Sequence, residues 1–187
     1  MKRALIAAAL LLTVAFVLTG FAVADPLKSG PQVGQEVPGP FHPLNVTGEK
    51  AGQKNCLYCQ NGSNPVAMIF AREVSEPLTK LIKKVDAATA EHSDCQMGSF
   101  IVFLSDAEDL SAKLKDVAEK ENIKTTVLSI DNPAGPGSYK VSKDADVTVV
   151  LYNQHKVKAN YAFKKGELKD KDIDVVVANI SKILPEK

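Results

Sequence analysis

The sequence of 187 residues has no tryptophan, few histidines and few cysteines, and it carries almost no net charge. The missing indole excludes only sites that use one, and we interpret the three scattered histidines as surface residues. The 23 basic residues are nearly matched by 22 acidic ones, which excludes the basic surface that nucleic acids or anionic membranes attract. No motif predicts a cofactor, because Gly135-x-Gly137 is too short for a phosphate loop and Gln60 stands where a c-type haem motif needs histidine.

The first 24 residues have the three parts of a secretory signal peptide. Two basic residues at positions 2 and 3 precede an apolar run over 4–21, and Ala22-Val23-Ala24 provides a small-residue cleavage site. We therefore predict a cleaved signal peptide over 1–24 and a secreted or periplasmic protein with no membrane partner after cleavage. The alternative is a retained membrane anchor, since the apolar run approaches the length that spans a bilayer. Export would bring the chain into a compartment where disulfides persist.

The remaining chain divides into two segments of different composition. Residues 25–64 are rich in Pro, Gly, Asn and Lys, which predicts an extended N-terminal arm, a short hairpin around 41–46 and a loop that carries Cys56 and Cys59. Residues 65–187 have regular apolar patterns and a length that suits one domain with its own core. No pattern in either segment predicts an oligomeric state.

From residue 65 onward, the patterns of buried strands alternate with those of amphipathic helices. Continuous apolar runs are typical of strands buried on both faces, whereas spacings of three and four residues are typical of helices. The alternation predicts parallel strands joined by right-handed crossovers, and a closing hairpin adds an antiparallel edge. We therefore predict an α/β fold with a mixed central sheet and helices on both faces. The predicted strands are 66–70, 100–104, 126–130, 147–152 and 157–163, and the helix patterns begin at Pro77, Ser105, Ser138 and Ile173.

The order of these elements is similar to the thioredoxin fold. Segment 33–41, with the sequence V-G-Q-E-V-P-G-P-F, and segment 44–48 after it resemble the opening of peroxiredoxin and redoxin domains. The resemblance covers about residues 33–184, and its nearest family type is the secreted thioredoxin-like proteins of bacteria. It implies a thioredoxin-like fold, thiol–disulfide exchange and a protein thiol or disulfide as the partner.

Three departures separate the chain from that family. The redox cysteine of the family follows the first core strand, and the matching stretch 71–76 contains no cysteine. The family has a cis-proline before a later strand, and the matching stretch 144–148 contains no proline. The run 60–65 after the cysteine pair breaks helices, so we expect no helix N-terminus at the pair to stabilise a thiolate. The chain is thus predicted to be a redoxin-like protein lacking the customary active-site cysteines.

Cys56 and Cys59 form a C-x-x-C motif that has three interpretations. In the first, which we favour, the pair carries out thiol–disulfide exchange in an exported protein, and by analogy with other C-x-x-C proteins Cys56 is the attacking thiol. In the second, the pair is a structural disulfide in a non-catalytic thioredoxin-like binding or scaffold domain. In the third, it is half of a zinc site. The remaining ligands of such a site would come from Cys95, His42, His92 or His155, none of which has ligand spacing.

Two further candidates lie outside the motif. Cys95 is either a resolving or intermolecular thiol or an unpaired cysteine near a helix end, and we favour the unpaired cysteine. Arg72 and Glu73 follow the first core strand, at the carboxyl edge where open α/β sheets bind ligands. They form either a polar site with the loop 131–137 or, as we favour, an ion pair at the start of the next helix.

Overall fold

The computed structural model describes residues 27–185, so the signal peptide predicted over 1–24 lies outside the described residues. Between residues 27 and 185, no helix is both long and apolar enough to cross a membrane. The strands are β1 (Leu44–Asn45), β2 (Val66–Ala71), β3 (Gly98–Leu104), β4 (Val127–Asp131), β5 (Val147–Asn153) and β6 (Lys156–Phe163). The α-helices are α1 (Leu57–Asn61), α2 (Glu76–Glu91), α3 (Leu110–Lys120) and α4 (Asp170–Ala178), and 3₁₀ turns span Ser93–Cys95, Gly137–Tyr139 and Asn179–Lys182.

The strands form one mixed sheet in the order β1-β4-β3-β2-β5-β6. β2, β3 and β4 are parallel neighbours, whereas β5 is antiparallel to β2, β6 to β5 and β1 to β4. The central pair is aligned from Val66 opposite Gly98 to Ala71 opposite Phe103. The predicted mixed central sheet with an antiparallel hairpin at its edge is therefore confirmed.

The strand residues alternate between the two faces of the sheet, and each face has its own apolar cluster. On one face, Ile69 and Ile101 pack with apolar residues of α2, α3 and α4. The crossovers β2–α2–β3 and β3–α3–β4 step in the same direction along the sheet, so right-handed connections bring both helices to that face. On the other face, Phe70 and Phe100 pack with Leu57 of α1 and with residues outside the long helices. The helices are therefore divided unequally between the faces.

Part of the second face is covered by the N-terminal arm. Phe41 lies against Tyr139, with ring centroids 4.9 Å apart, and also against Phe70 at 6.0 Å. The Tyr139 hydroxyl donates a hydrogen bond to the Gly39 carbonyl at 2.5 Å. Burial raises the pKa of Tyr139, which keeps the hydroxyl protonated as the donor that this contact needs. The arm thus serves as a second packing layer for the sheet.

The same arm also covers part of one sheet edge. Val157 in β6 accepts a hydrogen bond from the Gly34 N–H and donates its own N–H to the Gln35 carbonyl, both at 2.9 Å. Asn160 in the same strand donates its side-chain amide to the Pro31 carbonyl at 3.0 Å. Because an uncovered edge strand exposes unpaired backbone groups to other chains, these contacts protect β6 from such pairing.

Candidate functional site

Cys56 and Cys59 are joined by a disulfide at the start of α1. Cys56 is the N-cap residue of this helix, and its Sγ accepts a hydrogen bond from the Cys59 backbone N–H at 3.1 Å. The prediction that no helix begins at the pair is therefore wrong. The run 60–65, which was expected to break a helix, does not prevent α1 but ends it, since Gly62 adopts a φ of +52° directly after Asn61.

The two cysteines differ in their access to solvent. Cys56 is only 8 % exposed and belongs to the buried residues of the domain, whereas Cys59 is exposed. Between them, Leu57 is 1 % exposed and packs into the apolar cluster of the second face. Leu57 therefore holds the first turn of α1 against the sheet, with Cys56 on the inner side and Cys59 on the outer side.

Hydrogen bonds and close packing fix the far end of α1. The Asn61 side-chain amide donates to the Leu57 carbonyl at 2.8 Å. Its Oδ1 lies so close to Gly98 in β3 that a Cβ added there would be 1.8 Å away. On the other side of the pair, the Asn55 N–H donates to the Pro43 carbonyl at 3.1 Å, which ties the segment before α1 to the arm.

The hairpin turn between β5 and β6 lies beside the motif. The Tyr58 ring packs against the His155 ring, with centroids 5.0 Å apart. Gln154 and His155 both have positive φ, +50° and +60°, as in the hairpin turns that normally favour glycine or asparagine. The Gln154 N–H donates to the Ser63 carbonyl at 3.1 Å, which joins this turn to the loop after α1. His155 was predicted as a surface residue, and the structure places it half-buried beside Tyr58. No spacing in the sequence indicates this contact.

These contacts place the pair at the amino ends of the parallel strands. The pair precedes β2, and Asn61 contacts the first residue of β3. The description of a chain lacking active-site cysteines is therefore wrong, because Cys56 and Cys59 form a C-x-x-C disulfide at a helix start. That pair lies at the opposite end of β2 from the stretch 71–76, which holds no cysteine.

Arg72 occupies the carboxyl edge of the sheet, directly after β2. Its guanidinium donates to three backbone carbonyls, those of Ala145 at 3.0 Å, Pro133 at 3.0 Å and Ser142 at 3.1 Å. Arg72 therefore does reach the loop 131–137, as one of the two interpretations had it. The prediction that we favoured, an ion pair between Arg72 and Glu73, is wrong, because Arg72 binds backbone carbonyls and Glu73 pairs with another residue.

Glu73 pairs instead with Lys165, with 2.7 Å between the Lys165 Nζ and the carboxylate. Nearby Asp146 is half-buried, and desolvation together with the Glu73 charge raises its pKa, although Lys165 and Arg72 act in the opposite direction. The hydrogen bond and charge of Glu73 raise the pKa of Lys165. This edge of the sheet thus brings together the charged side chains of Arg72, Glu73, Asp146 and Lys165 and the carbonyls that Arg72 binds.

Cys95 is free and lies in the 3₁₀ turn after α2, where its Sγ donates to the His92 carbonyl at 3.2 Å. It packs partly buried against the apolar cluster of the long helices. Its free thiol and its place after α2 agree with the favoured interpretation of an unpaired cysteine near a helix end. Over residues 27–185, no group of three or more His, Cys, Asp and Glu side chains is arranged to hold a metal ion.

Comparison with known proteins gives structural relatives only. No protein-family model matches the chain, and no curated protein matches it in sequence. A candidate protein disulfide isomerase from Bacteroides thetaiotaomicron superposes with a TM-score of 0.63 at 15% identity, over 86% of this chain and 96% of that one. Peroxidoxin BcpB from Mycobacterium tuberculosis gives a TM-score of 0.59 at 15% identity, over 85% of this chain and 99% of that one.

A secreted disulfide oxidoreductase of Mycobacterium tuberculosis, homologous to DsbE of E. coli, gives a TM-score of 0.56 at 8% identity, over 75% of this chain and 94% of that one. At these identities the similarity concerns the fold. The sheet order, the crossovers and these superpositions together show that the domain has a thioredoxin-like fold.

Proposed function

We propose that this chain is an exported thiol–disulfide exchange protein in which Cys56 and Cys59 cycle between a disulfide and two thiols. The observation that carries the proposal is the Cys56–Cys59 disulfide itself, with Cys59 exposed. A disulfide exchanges only where a thiolate can reach one of its sulfurs and the other sulfur can leave as a thiolate. Exposure of Cys59 supports the first condition, and the hydrogen bond to the Cys56 Sγ supports the second.

The partner that this chemistry requires is a protein with two thiols or with a disulfide. In the oxidising direction, the two partner thiols lose two electrons and two protons and become a disulfide. The Cys56–Cys59 disulfide takes up those electrons and protons and becomes two thiols. In the reducing direction every step runs backwards, and the difference between the two reduction potentials decides which direction prevails.

Export is supported by the basic, apolar and small-residue parts of the segment 1–24. A secreted or periplasmic protein would keep the pair in a compartment where disulfides persist. Cell fractionation of the full chain, with N-terminal sequencing of the mature protein, tests this part of the proposal. We expect a mature chain that begins at Asp25 and is absent from the cytoplasmic fraction.

A non-catalytic binding or scaffold domain is the second candidate, and one observation favours it. The pair lies at the opposite end of β2 from the position that the family uses, and Arg72 fills that position with backbone contacts. In this alternative the disulfide only closes a loop of a few residues, for which the chain-entropy model gives a small stabilisation.

A turnover assay separates the two candidates. A peptide with two cysteines is oxidised by glutathione disulfide with and without catalytic amounts of the protein, and the loss of free thiol is followed. We expect the protein to accelerate peptide oxidation at least tenfold, and both Cys56→Ser and Cys59→Ser to abolish the effect. Cys95→Ser is the matched control and should keep full activity. No acceleration by the folded wild type would rule out the exchange function.

A further inference from the structure

The two sulfurs of the disulfide are not equivalent for an incoming thiol. Cys56 is 8 % exposed, and its neighbour Leu57 is almost completely buried against the sheet. Cys59, one helical turn further on, is exposed. An attacking thiolate approaches a disulfide sulfur in line with the bond that breaks, so the attacked sulfur must be open on the side away from its partner. The burial of the two residues therefore favours attack at Cys59.

The hydrogen bonding of the pair favours the same direction. When a thiolate attacks one sulfur, the other leaves as a thiolate, and exchange is faster when the leaving thiolate is the more stable one. The Cys59 N–H points at the Cys56 Sγ at 3.1 Å, so a thiolate on Cys56 finds a donor already in place. The Gln60 N–H donates to the Cys56 carbonyl at 3.0 Å, which fixes the backbone that carries this sulfur.

We propose that exchange proceeds through Cys59, with Cys56 as the buried leaving and resolving thiol. This reverses the order that C-x-x-C analogy assigns, and it rests on the proposed function. A partner thiolate attacks the Cys59 Sγ, a partner–Cys59 disulfide forms, the Cys56–Cys59 bond breaks, and the electron pair of that bond stays on Cys56 as a thiolate. The partner's second thiolate then attacks the partner sulfur of the mixed disulfide and releases Cys59, which takes up a proton, as does Cys56.

The partner that fits this route is a protein with a cysteine that can reach the outer side of α1, where Cys59 is exposed. In the reverse direction, in which the protein reduces a partner disulfide, Cys59 is the thiol that attacks. Cys56 then displaces the partner and restores the disulfide, so both directions share one mixed disulfide.

The experiment maps which sulfur carries the partner. Oxidised Cys95→Ser protein is mixed with excess glutathione, quenched with acid after short intervals, alkylated with N-ethylmaleimide and digested by chymotrypsin. Cleavage after Tyr58 separates the two cysteines, so mass spectrometry assigns glutathione and the alkyl group to each. We expect glutathione on Cys59 and the alkyl group on Cys56 in at least a tenfold excess over the reverse.

A second measurement covers the case in which the mixed disulfide resolves before the quench. Cys56→Ser and Cys59→Ser, both in the Cys95→Ser background and both checked for folding by circular dichroism, are reacted with a cysteine peptide activated by thionitrobenzoate. Rates measured up to a pH where both thiols are ionised remove the influence of the ionised fraction, so the plateau rates compare the access and the intrinsic nucleophilicity of the two thiolates. We expect the plateau rate of the variant that keeps Cys59 to be at least tenfold higher.

The outcomes distinguish this inference from the proposed function. Glutathione on Cys56, an even distribution, or equal plateau rates would overturn the route through Cys59 and leave exchange by the pair standing. Absence of any exchange between the oxidised protein and glutathione, in a protein shown to be folded, would overturn both. A predominant adduct on Cys59, or its faster plateau rate, supports the route.

Discussion

At the scale of single residues, Arg72 explains how this chain stabilises the carboxyl end of β2. Its three donors satisfy three carbonyls from the segment 133–145, two of them in partly buried bonds. A planar guanidinium can serve several acceptors at once, which a point charge on a flexible stem cannot. Arg72 therefore has a structural role in this chain: as a clamp, it links the end of β2 to the loops before β5 through these hydrogen bonds.

We predict that Arg72→Ala lowers the free energy of unfolding by about 2–4 kcal/mol, because charge-assisted hydrogen bonds are lost and carbonyls are left without donors. Arg72→Lys should recover less than half of this, since lysine lacks the planar fork. Urea denaturation followed by circular dichroism measures both. Lys165→Ala is the control, because its exposed pair with Glu73 contributes at most about 1 kcal/mol. Equal losses for Arg72→Ala and Lys165→Ala would contradict the clamp.

Asp86 is a second residue whose role is structural. Its buried carboxylate accepts backbone N–H bonds from Thr125 at 2.8 Å and Thr126 at 2.7 Å, so α2 is tied to the segment before β4. Burial works against the charged form, but the hydrogen bonds from Thr126, Thr125 and Lys124 outweigh it and hold the pKa of Asp86 below its ordinary value of 3.8.

A depressed pKa in the folded state stabilises the fold above the unfolded pKa, and this contribution is lost as pH falls through the folded pKa. We predict that Asp86→Asn destabilises the protein by about 2 kcal/mol at pH 7. The difference from wild type should stay constant down to about pH 5 and shrink below pH 3.8. Urea titrations at several pH values measure it, with exposed Asp174→Asn as the control. A difference that is unchanged at pH 2.5 would contradict the assignment.

At the scale of elements, α1 is the helix that the sequence did not predict. A helix of five residues is too short to be stable alone, so its stability comes from tertiary contacts. Leu57 buries its side chain in the apolar cluster of the second face, and Asn61 fits against Gly98 while it bonds to the Leu57 carbonyl. The geometry of the cysteine pair therefore depends on β3, which lies about 40 residues further along the chain.

We predict that Gly98→Ala costs about 1–3 kcal/mol of stability, because the new Cβ would stand 1.8 Å from the Asn61 Oδ1 and displace that side chain. Asn61→Ala removes the obstacle, so the double variant should lose at least about 1 kcal/mol less than the sum of the single losses. Chemical denaturation of the four proteins gives this coupling. Gly137→Ala is the control, since nothing lies within 4 Å of its added Cβ. Additive losses would show that the two positions are not in contact.

At the scale of the whole molecule, topology puts the long helices on one face of the sheet and the arm, α1 and the turn Gly137–Tyr139 on the other. The apolar runs predicted the core strands, and their alternation with helix patterns predicted the mixed sheet. Both signals are local, because the apolar run of a buried strand and the periodicity of a helix can be recognised within a short stretch of consecutive residues.

What the sequence could not predict depends on contacts between distant residues. Tyr58 meets His155 across 97 positions of the chain, and no spacing rule indicates that the turn after β5 lies beside the motif. Arg72 finds its acceptors 61 to 73 residues away, so a local ion pair with Glu73 was the simpler interpretation. The difference in solvent exposure between Cys56 and Cys59 follows from the burial of Leu57, which only the folded sheet provides.

The reduction potential of the Cys56–Cys59 pair distinguishes a pair that exchanges from a structural disulfide. The protein is equilibrated in glutathione and dithiothreitol buffers of graded potential, quenched with acid, alkylated, and analysed by mass for the fraction of reduced pair, with Cys95→Ser as the control. We predict a potential within the range of oxidoreductases, between about −270 and −120 mV, because Cys59 is exposed and a donor stabilises the Cys56 thiolate. A pair that stays oxidised below about −300 mV, as structural disulfides do, would contradict it.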